Sequence, residues 1–437
     1  MNDATEFDAP DIRASEAGFR PISLDALNFL LSDVRGALGP YLNVFLVTQQ
    51  HWTQSEVGVA TTVSGLLGLS AQAPIGAVID ETHSKRGLII VALSALAIGA
   101  SAIFVAPNFW VVTIANSFVA VAGDVFGPAV AALTLGLYAR KSLARRLGRN
   151  SAFDHAGNVA IALAAGAVGY EFSQRAVFLL VPIFCVLAGV AALSIPAESI
   201  DHDQARDSSG PSGAGQDSAN IASYTILLRT RPLLVFGVCV LLFHLANAAM
   251  LPLVGQKLAA AHPKSATAMM SACIVAAQMV MLPIALLVGR TADAWGRKPL
   301  FLAGFGILPI RAALYTFSDD SAWLIGVQLL DGVGAGIFGA LTPLVIADIM
   351  RGSGRYNLAQ GAIATMQAIG ASVSGLLSGV IVDHYGYSVT FLALGAVAAL
   401  AFTAFAVGMP ETANHEQSAN GRFAPQSCNG PQAGSEA

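Results

Sequence analysis

The chain reads GRTADAWGRKP at residues 289–299 and GAVIDETHSKR at residues 76–86, and each stretch closes a long apolar run. One offset of 213 residues aligns Gly76 with Gly289, Asp80 with Asp293 and Lys85 with Lys298, and it also aligns Phe178 with Phe391 and Glu198 with Glu411. A single offset held over so many positions means that one unit has been duplicated. Hydropathy shows what the unit is made of. Apolar residues are 55% of the 437-residue chain and charged residues 11%, where a soluble protein has roughly a quarter charged. A bilayer-crossing helix needs about 20 mostly apolar residues. Such stretches fall at 22–49, 54–80, 87–106, 108–138, 150–173 and 175–195, and again at 232–258, 267–291, 299–317, 321–350, 356–382 and 388–409. The expected fold is therefore an all-α polytopic membrane protein of twelve transmembrane helices in two six-helix repeats.

The expected organisation is a tail at 1–21, a first bundle at 22–195, a linker at 196–231, a second bundle at 232–410 and a disordered tail at 411–437. The linker core, AESIDHDQARDSSGPSGAGQDSAN, has too little apolar surface to offset the entropy of ordering it. Basic residues set the orientation, because basic loops stay cytoplasmic. With both termini inside, 18 of the 23 Lys and Arg lie on the inner side and only Arg175, Lys257 and Lys264 on the outer side. The acidic N-terminus has no signal-peptide pattern, so the first hydrophobic helix is expected to direct insertion. Cys185, Cys239 and Cys273 sit in apolar runs and read as small core residues, and Cys428 lies in the tail. A net charge of −4 gives no reason to expect nucleic acid as a partner.

At the two turns the sequence resembles the major facilitator superfamily, whose loop reads G-x-x-x-D-x-x-G-R-K/R. The second copy matches through Gly289, Asp293, Gly296, Arg297 and Lys298. The first keeps Gly76, Asp80, Lys85 and Arg86 but has His83 at the second glycine. The tenth span adds a second likeness: Leu324, Gln328, Asp331, Gly332, Gly334, Ala335 and Gly336 follow the spacing of the family's fourth-helix pattern, with Gln328 where an arginine is usual. The resemblance implies a carrier in which these loops latch the cytoplasmic gate, so Asp80 and Asp293 are latch candidates. The bland alternative makes them helix caps and topology signals.

Ionisable groups inside a span cost about 2.5–3.5 kcal/mol each and usually face a cavity. Here they are Asp33, Arg35, Asp124, Asp154, His155, His244, Arg311 and Asp331. The resemblance implies that spans 1, 4, 7 and 10 line the central cavity, and Asp33, Arg35, Asp124, His244 and Asp331 lie on those spans. With Asn43, Asn247 and Gln328 they form the candidate proton and solute site. Each has a plainer reading: an interhelical salt bridge for Asp33 and Asp331, a fixed counter-ion for Arg35, a satisfied core histidine for His244. Asp154 and His155 lie near Arg145, Arg146 and Arg149 and are expected to form gate salt bridges. Arg311 stands alone on the ninth span, which the resemblance turns outward, and the sequence assigns it no partner. Gly36, Gly39 and Pro40 in the first span and Pro252 and Gly255 in the seventh interrupt corresponding helices, as paired breaks near a binding site do.

The expected function is secondary active transport of a small organic solute by alternating access, as proton-coupled efflux of a drug or metabolite. The alternative is proton-coupled uptake of an organic solute, anionic where Arg35 holds it. Departures from the family's antiporter pattern bear on that choice: the fifth span lacks the G-x-x-x-G-P-x-x-G-G motif, and Val119 stands near the place of the fourth-span arginine. No H-E-x-x-H, G-x-S-x-G, metal-ligand cluster or phosphate loop is present, so no enzyme is expected and no cofactor or metal. The expected partners are the solute, protons and the lipid bilayer, with the chain acting as a monomer in a bacterial inner membrane.

Overall fold

The computed structural model describes residues 21–32, 38–82, 84–138, 140–200, 230–351, 353 and 355–413. Among these the regular structure is helical, with no strand. The first half comprises α1 (Pro21–Leu31), α2 (Leu38–Thr48), α3 (Gln54–Glu81), α4 (Lys85–Val105), α5 (Phe109–Leu137), α6 (Arg140–Glu171) and, after a 3-10 turn at Arg175–Leu179, α7 (Leu180–Leu193). The second half comprises α8 (Arg231–Asn247), α9 (Met250–Ala261), α10 (Ala266–Trp295), α11 (Arg297–Leu314), α12 (Ser321–Ile349) and α13 (Tyr356–Gly408). The helices fall on every apolar stretch read from the sequence. Among the described residues, seven helical stretches are long and apolar enough by themselves to cross a membrane. Residues 1–20, nearly all of the linker and the tail from 414 onward lie outside the described residues.

α13 holds 53 residues. At 1.5 Å per residue that is about 80 Å, more than twice the roughly 30 Å hydrocarbon core, so it cannot be one crossing. Gly386, at φ 80°, turns the chain inside it and divides it into the two arms expected at 356–382 and 388–409. In the first half α1 ends at Leu31 and α2 begins at Leu38, with 33–37 outside the described residues; in the second half the helix is interrupted, α8 ending at Asn247 before α9 begins with Pro252 in its first turn.

At the end away from the basic loops, helix starts are closed by polar caps. Thr53 and Glu56 form a reciprocal box at α3, Asn108 accepts from the Val111 N–H at α5 (3.0 Å), and Asp320 accepts from the Trp323 N–H at α12 (2.9 Å). Each satisfies N–H groups that a helix start leaves without partners.

Each half has its own core. One contains Phe45, Phe126 and Phe178 from α2, α5 and the 3-10 turn. The other is an aromatic cluster of Phe236, Phe301, Phe305, Phe338 and Phe405, with Phe305 stacked on Phe405 at 4.9 Å. The halves meet along two seams toward the end away from the basic loops. At α3 and α13, a methyl added to Gly58 would come within 2.6 Å of the Gly375 carbonyl oxygen, and the Thr62 hydroxyl donates to the Ser372 carbonyl at 2.6 Å. Asp383 caps α3 across this seam, accepting from the Gln54 N–H (3.0 Å) and the Ser55 N–H (2.8 Å). On the other side Gly166 and Gly169 of α6 press on Ser271 and Thr267 of α10, and Tyr41 bonds Ser271 at 2.9 Å.

Candidate functional site

Small residues make the seams tight, and where they end a cleft opens between the halves. At mid-depth a cavity of about 430 Å³ lies between α3, α5 and α13, lined among others by Gly68, Gln72, Gly123, Asp124, Gly127 and Ser372. It adjoins, through Gly127, a cavity of about 220 Å³ that reaches Asn28, Asn150 and Asp154. Through Ala371 and Ser372 it adjoins a third, of about 110 Å³, under the closed seam; Asn43, Gln54, Thr61 and Gln256 line that one. Asn43 and Gln256 occupy equivalent places in the two repeats, and the carbonyl oxygen of each side chain is buried without a hydrogen-bond partner among the described residues.

The densest polar network lies in the second half. Arg311 of α11, 2% exposed, pairs with Asp331 of α12, which is 20% exposed. The same guanidinium donates through Nη2 to Asn247 Oδ1 at 2.5 Å and meets the Met250 sulfur at 3.3 Å. Gln328 donates to the second oxygen of Asp331 at 3.0 Å and accepts from the Tyr315 hydroxyl. A charged guanidinium this deep requires a counter-charge and hydrogen bonds to offset lost hydration; Asp331 and Asn247 supply them, and Gln328 holds Asp331 in place. Two of the candidate residues, Asp331 and Asn247, thus converge on Arg311, with Gln328 bonded to Asp331 behind them; the sequence assigns Arg311 no partner and turns it outward. Two consecutive antiparallel spans, each carrying one charge of opposite sign, were the available signal.

The remaining candidates separate. Asp33 and Arg35 lie outside the described residues. Asp124 lines the cavity of about 430 Å³ and, among the described residues, accepts one hydrogen bond, from Gln72 at 3.4 Å. His244 bonds its own helix through the Val240 carbonyl (2.9 Å) and packs edge-on to Phe338, as a satisfied core histidine does. His155 meets Gln278 of α10 at 3.1 Å, across the halves. The partner of Arg146 and Arg149 is Asp25 of α1, 1% exposed, at 2.7 and 2.6 Å; the sequence alone does not single out Asp25.

The basic loops are built unequally. In the first copy the buried Lys85 donates to the Ile79 carbonyl at 2.6 Å, and Arg86 donates to the Ile195 carbonyl at the end of α7. Asp80 ends α3, and its side chain lies outside the described residues. A methyl on Gly76 or Gly289 would meet open space. In the second copy Asp293 pairs with Arg297 (2.7 Å), which also reaches Asp348 at 3.1 Å. Gly296 sits at φ 86°, where a side chain would be strained, and turns the chain into α11.

The start of α11 is capped by Glu411, which accepts from the backbone N–H of Arg297 at 2.9 Å and of Lys298 at 3.1 Å. Partial burial raises the Glu411 pKa, but the N–H groups of Ala413, Arg297, Lys298 and Thr412 outweigh it and hold the carboxyl below its ordinary value. A depressed carboxylate pKa stabilises above the unfolded pKa, near 4.3 for Glu, and that contribution is lost as pH falls through the folded value. Glu411→Gln is therefore expected to lower the melting midpoint at pH 7 by the equivalent of about 1 kcal/mol. The gap to wild type should close on acidification below about pH 4. A gap that stays constant from pH 7 to pH 3 would contradict the cap.

Comparison with known proteins gives consistent neighbours. The sequence model of the Major Facilitator Superfamily matches residues 24–290 and 247–430. An uncharacterized MFS-type transporter of Mycobacterium tuberculosis is 45% identical over 394 residues, covering 90% of this chain and 94% of that protein. A multi-drug resistance efflux pump PmrA homolog of Lactococcus lactis is 28% identical over 26% of this chain and 27% of its own length. Among solved structures, a point mutant of the nucleoside transporter NupG superposes with a TM-score of 0.75 at 13% identity, covering 89% of this chain and all of that one. At that identity the likeness is one of fold.

Proposed function

The chain belongs to the major facilitator superfamily, and on that premise we propose that it is a proton-coupled exporter of a small organic solute, working by alternating access with Asp331 and Arg311 at its coupling site. The observation that carries this reading is the buried network joining Asp331, Arg311, Asn247, Gln328 and Tyr315. When Asp331 takes a proton its charge on Arg311 vanishes, and the guanidinium must find new partners. A proton thereby biases the packing of α8, α11 and α12, which is what coupling requires.

Seams closed toward one end and a cleft between them make one of the two states of an alternating-access carrier. With the basic loops placed in the cytoplasm, this state is open inward. Arg297, held by Asp293 and Asp348, and Asp80 at the end of α3 are the groups assigned to latch the cytoplasmic side when the cleft closes there. Export is favoured over uptake by the partial likeness to an efflux pump. One proton crossing 100 mV supplies about 2.3 kcal/mol, roughly a 50-fold solute gradient, so a single titrating carboxylate suffices.

The test is internal pH in inverted vesicles holding the protein, with cationic, neutral and anionic solutes added in turn. Solute entry accompanied by proton exit, lost in Asp331→Asn, supports the reading. Protons and solute moving in the same direction would make the protein a symporter, and transport without proton movement would remove the coupling role.

A further inference from the structure

We infer that the cleft beside Asp124 receives organic cations with a flat apolar body. This deepens the exporter reading by naming the solute class of that cleft. The cavity of about 430 Å³ is far larger than the roughly 10–15 Å³ one water needs, so it is not merely a proton's antechamber. Among the described residues its single ionisable lining residue is Asp124. The neighbouring cavity of about 220 Å³ adds Asp154, and no Lys or Arg lines either one among the described residues. A carboxylate lining a cleft without a basic neighbour favours a positive guest and repels a negative one.

The only hydrogen bond to Asp124 among the described residues is the long one from Gln72, at 3.4 Å, so its oxygens keep capacity for a ligand. The walls are smooth. Gly127 presents bare backbone, Gly65 and Gly68 are overlaid by Ser372 and by Ala120 with Asp124, Ala120 and Ala371 add only methyls, and Pro128 closes one edge without a backbone N–H. Such a surface offers dispersion contact to a planar ring and few directional groups to a sugar or peptide. The cleft therefore sorts by charge and flatness rather than by a hydrogen-bond pattern.

The experiment uses three bicyclic probes of like shape on the purified full chain at fixed pH: 1-methylquinolinium, 1-naphthamide and 1-naphthoate, with binding followed by titration calorimetry. The cation is expected to bind saturably, the amide more weakly and the anion not at all. Asp124→Asn should weaken cation binding about tenfold or more, and Asp124→Glu should restore much of it. Gly127→Leu provides a second readout, since a Cβ there meets nothing within 4 Å and the longer side chain projects from that open position into the cavity; it should abolish binding while leaving the melting midpoint in place. Equal cation affinity in Asp124→Asn, or naphthoate binding as tight as the cation, overturns the inference. So does binding of none of the three. Because no gradient is applied and Asp331 is intact, a protein that binds the cation but moves no protons keeps this inference and loses the coupling proposal.

Discussion

Asp331→Asn is expected to leave Arg311 charged, 2% exposed and without its counter-ion, and to lower stability by about 3–5 kcal/mol. That is a large part of the 5–15 kcal/mol that usually separates folded from unfolded protein. Arg311→Met should cost less, because Asp331 is 20% exposed and keeps its hydrogen bond from Gln328. The double variant Arg311→Met with Asp331→Leu removes both charges and should recover most of the folded yield, since apolar replacement of a buried pair is often neutral or stabilising. Asn247 and Gln328 would each lose one partner in that variant, so recovery should be incomplete. Folded yield by size-exclusion chromatography and proton movement in vesicles separate the two roles. A folded double variant with wild-type proton exchange would show the pair to be structural only.

Gly58→Val should act in a different way, because it loads a seam between halves rather than the inside of one. The first added carbon falls 2.6 Å from the Gly375 carbonyl oxygen, on backbone that cannot step aside. Overpacking typically costs about 1–3 kcal/mol. Here that cost falls on the closed seam, so the ratio of this state to its alternative should drop by about five- to 150-fold, with transport falling alongside. The readout is Thr61→Cys, which lines the small cavity under the seam, in a Cys428→Ser background. An impermeant maleimide added from the outer side should react with it in the Gly58→Val protein and not in the parent. Gly332→Val is the contrast: that residue of α12 lies against the Ala277 carbonyl of α10 within one half, so it should reduce folded yield without exposing Thr61→Cys. If Gly58→Val also only reduces yield, the seam is not a moving one.

Much of the architecture is legible in advance because it is written in periodicity and repetition. The 213-residue offset and the apolar stretches are local patterns, and bilayer thickness converts them into helices of known length. Pairing between helices is written nowhere so directly. Arg311 and Asp331 are 20 residues apart on different helices, and no hydrophobic rhythm says that they face each other. Asp25 is hard to read because it falls near the start of an apolar run, where a charge marks a boundary. Its burial against Arg146 and Arg149 depends on how α6 continues past the apolar stretch back to Arg140. Asp383 reads as a span end, and only the tertiary fold sets it on the start of α3, 328 residues away from Ser55. Glu411 is visible as a repeat position, yet among the described residues its counterpart Glu198 makes no such cap, and Arg86 ties the corresponding corner of the first half.

The turn at Gly386 has a mechanical meaning. With no loop between its arms, α13 has no slack: the arm that carries Ser372, Gly375 and Asp383 at the seam is joined end to end with the arm whose Phe391, Leu394 and Phe405 lie in the second core. Force that pries the seam apart passes into that core as torque. The hairpin must swing as a single lever, about 40 Å from pivot to tip along its first arm, and a small rotation at the turn becomes a wide excursion at the opposite end, where Tyr356 starts.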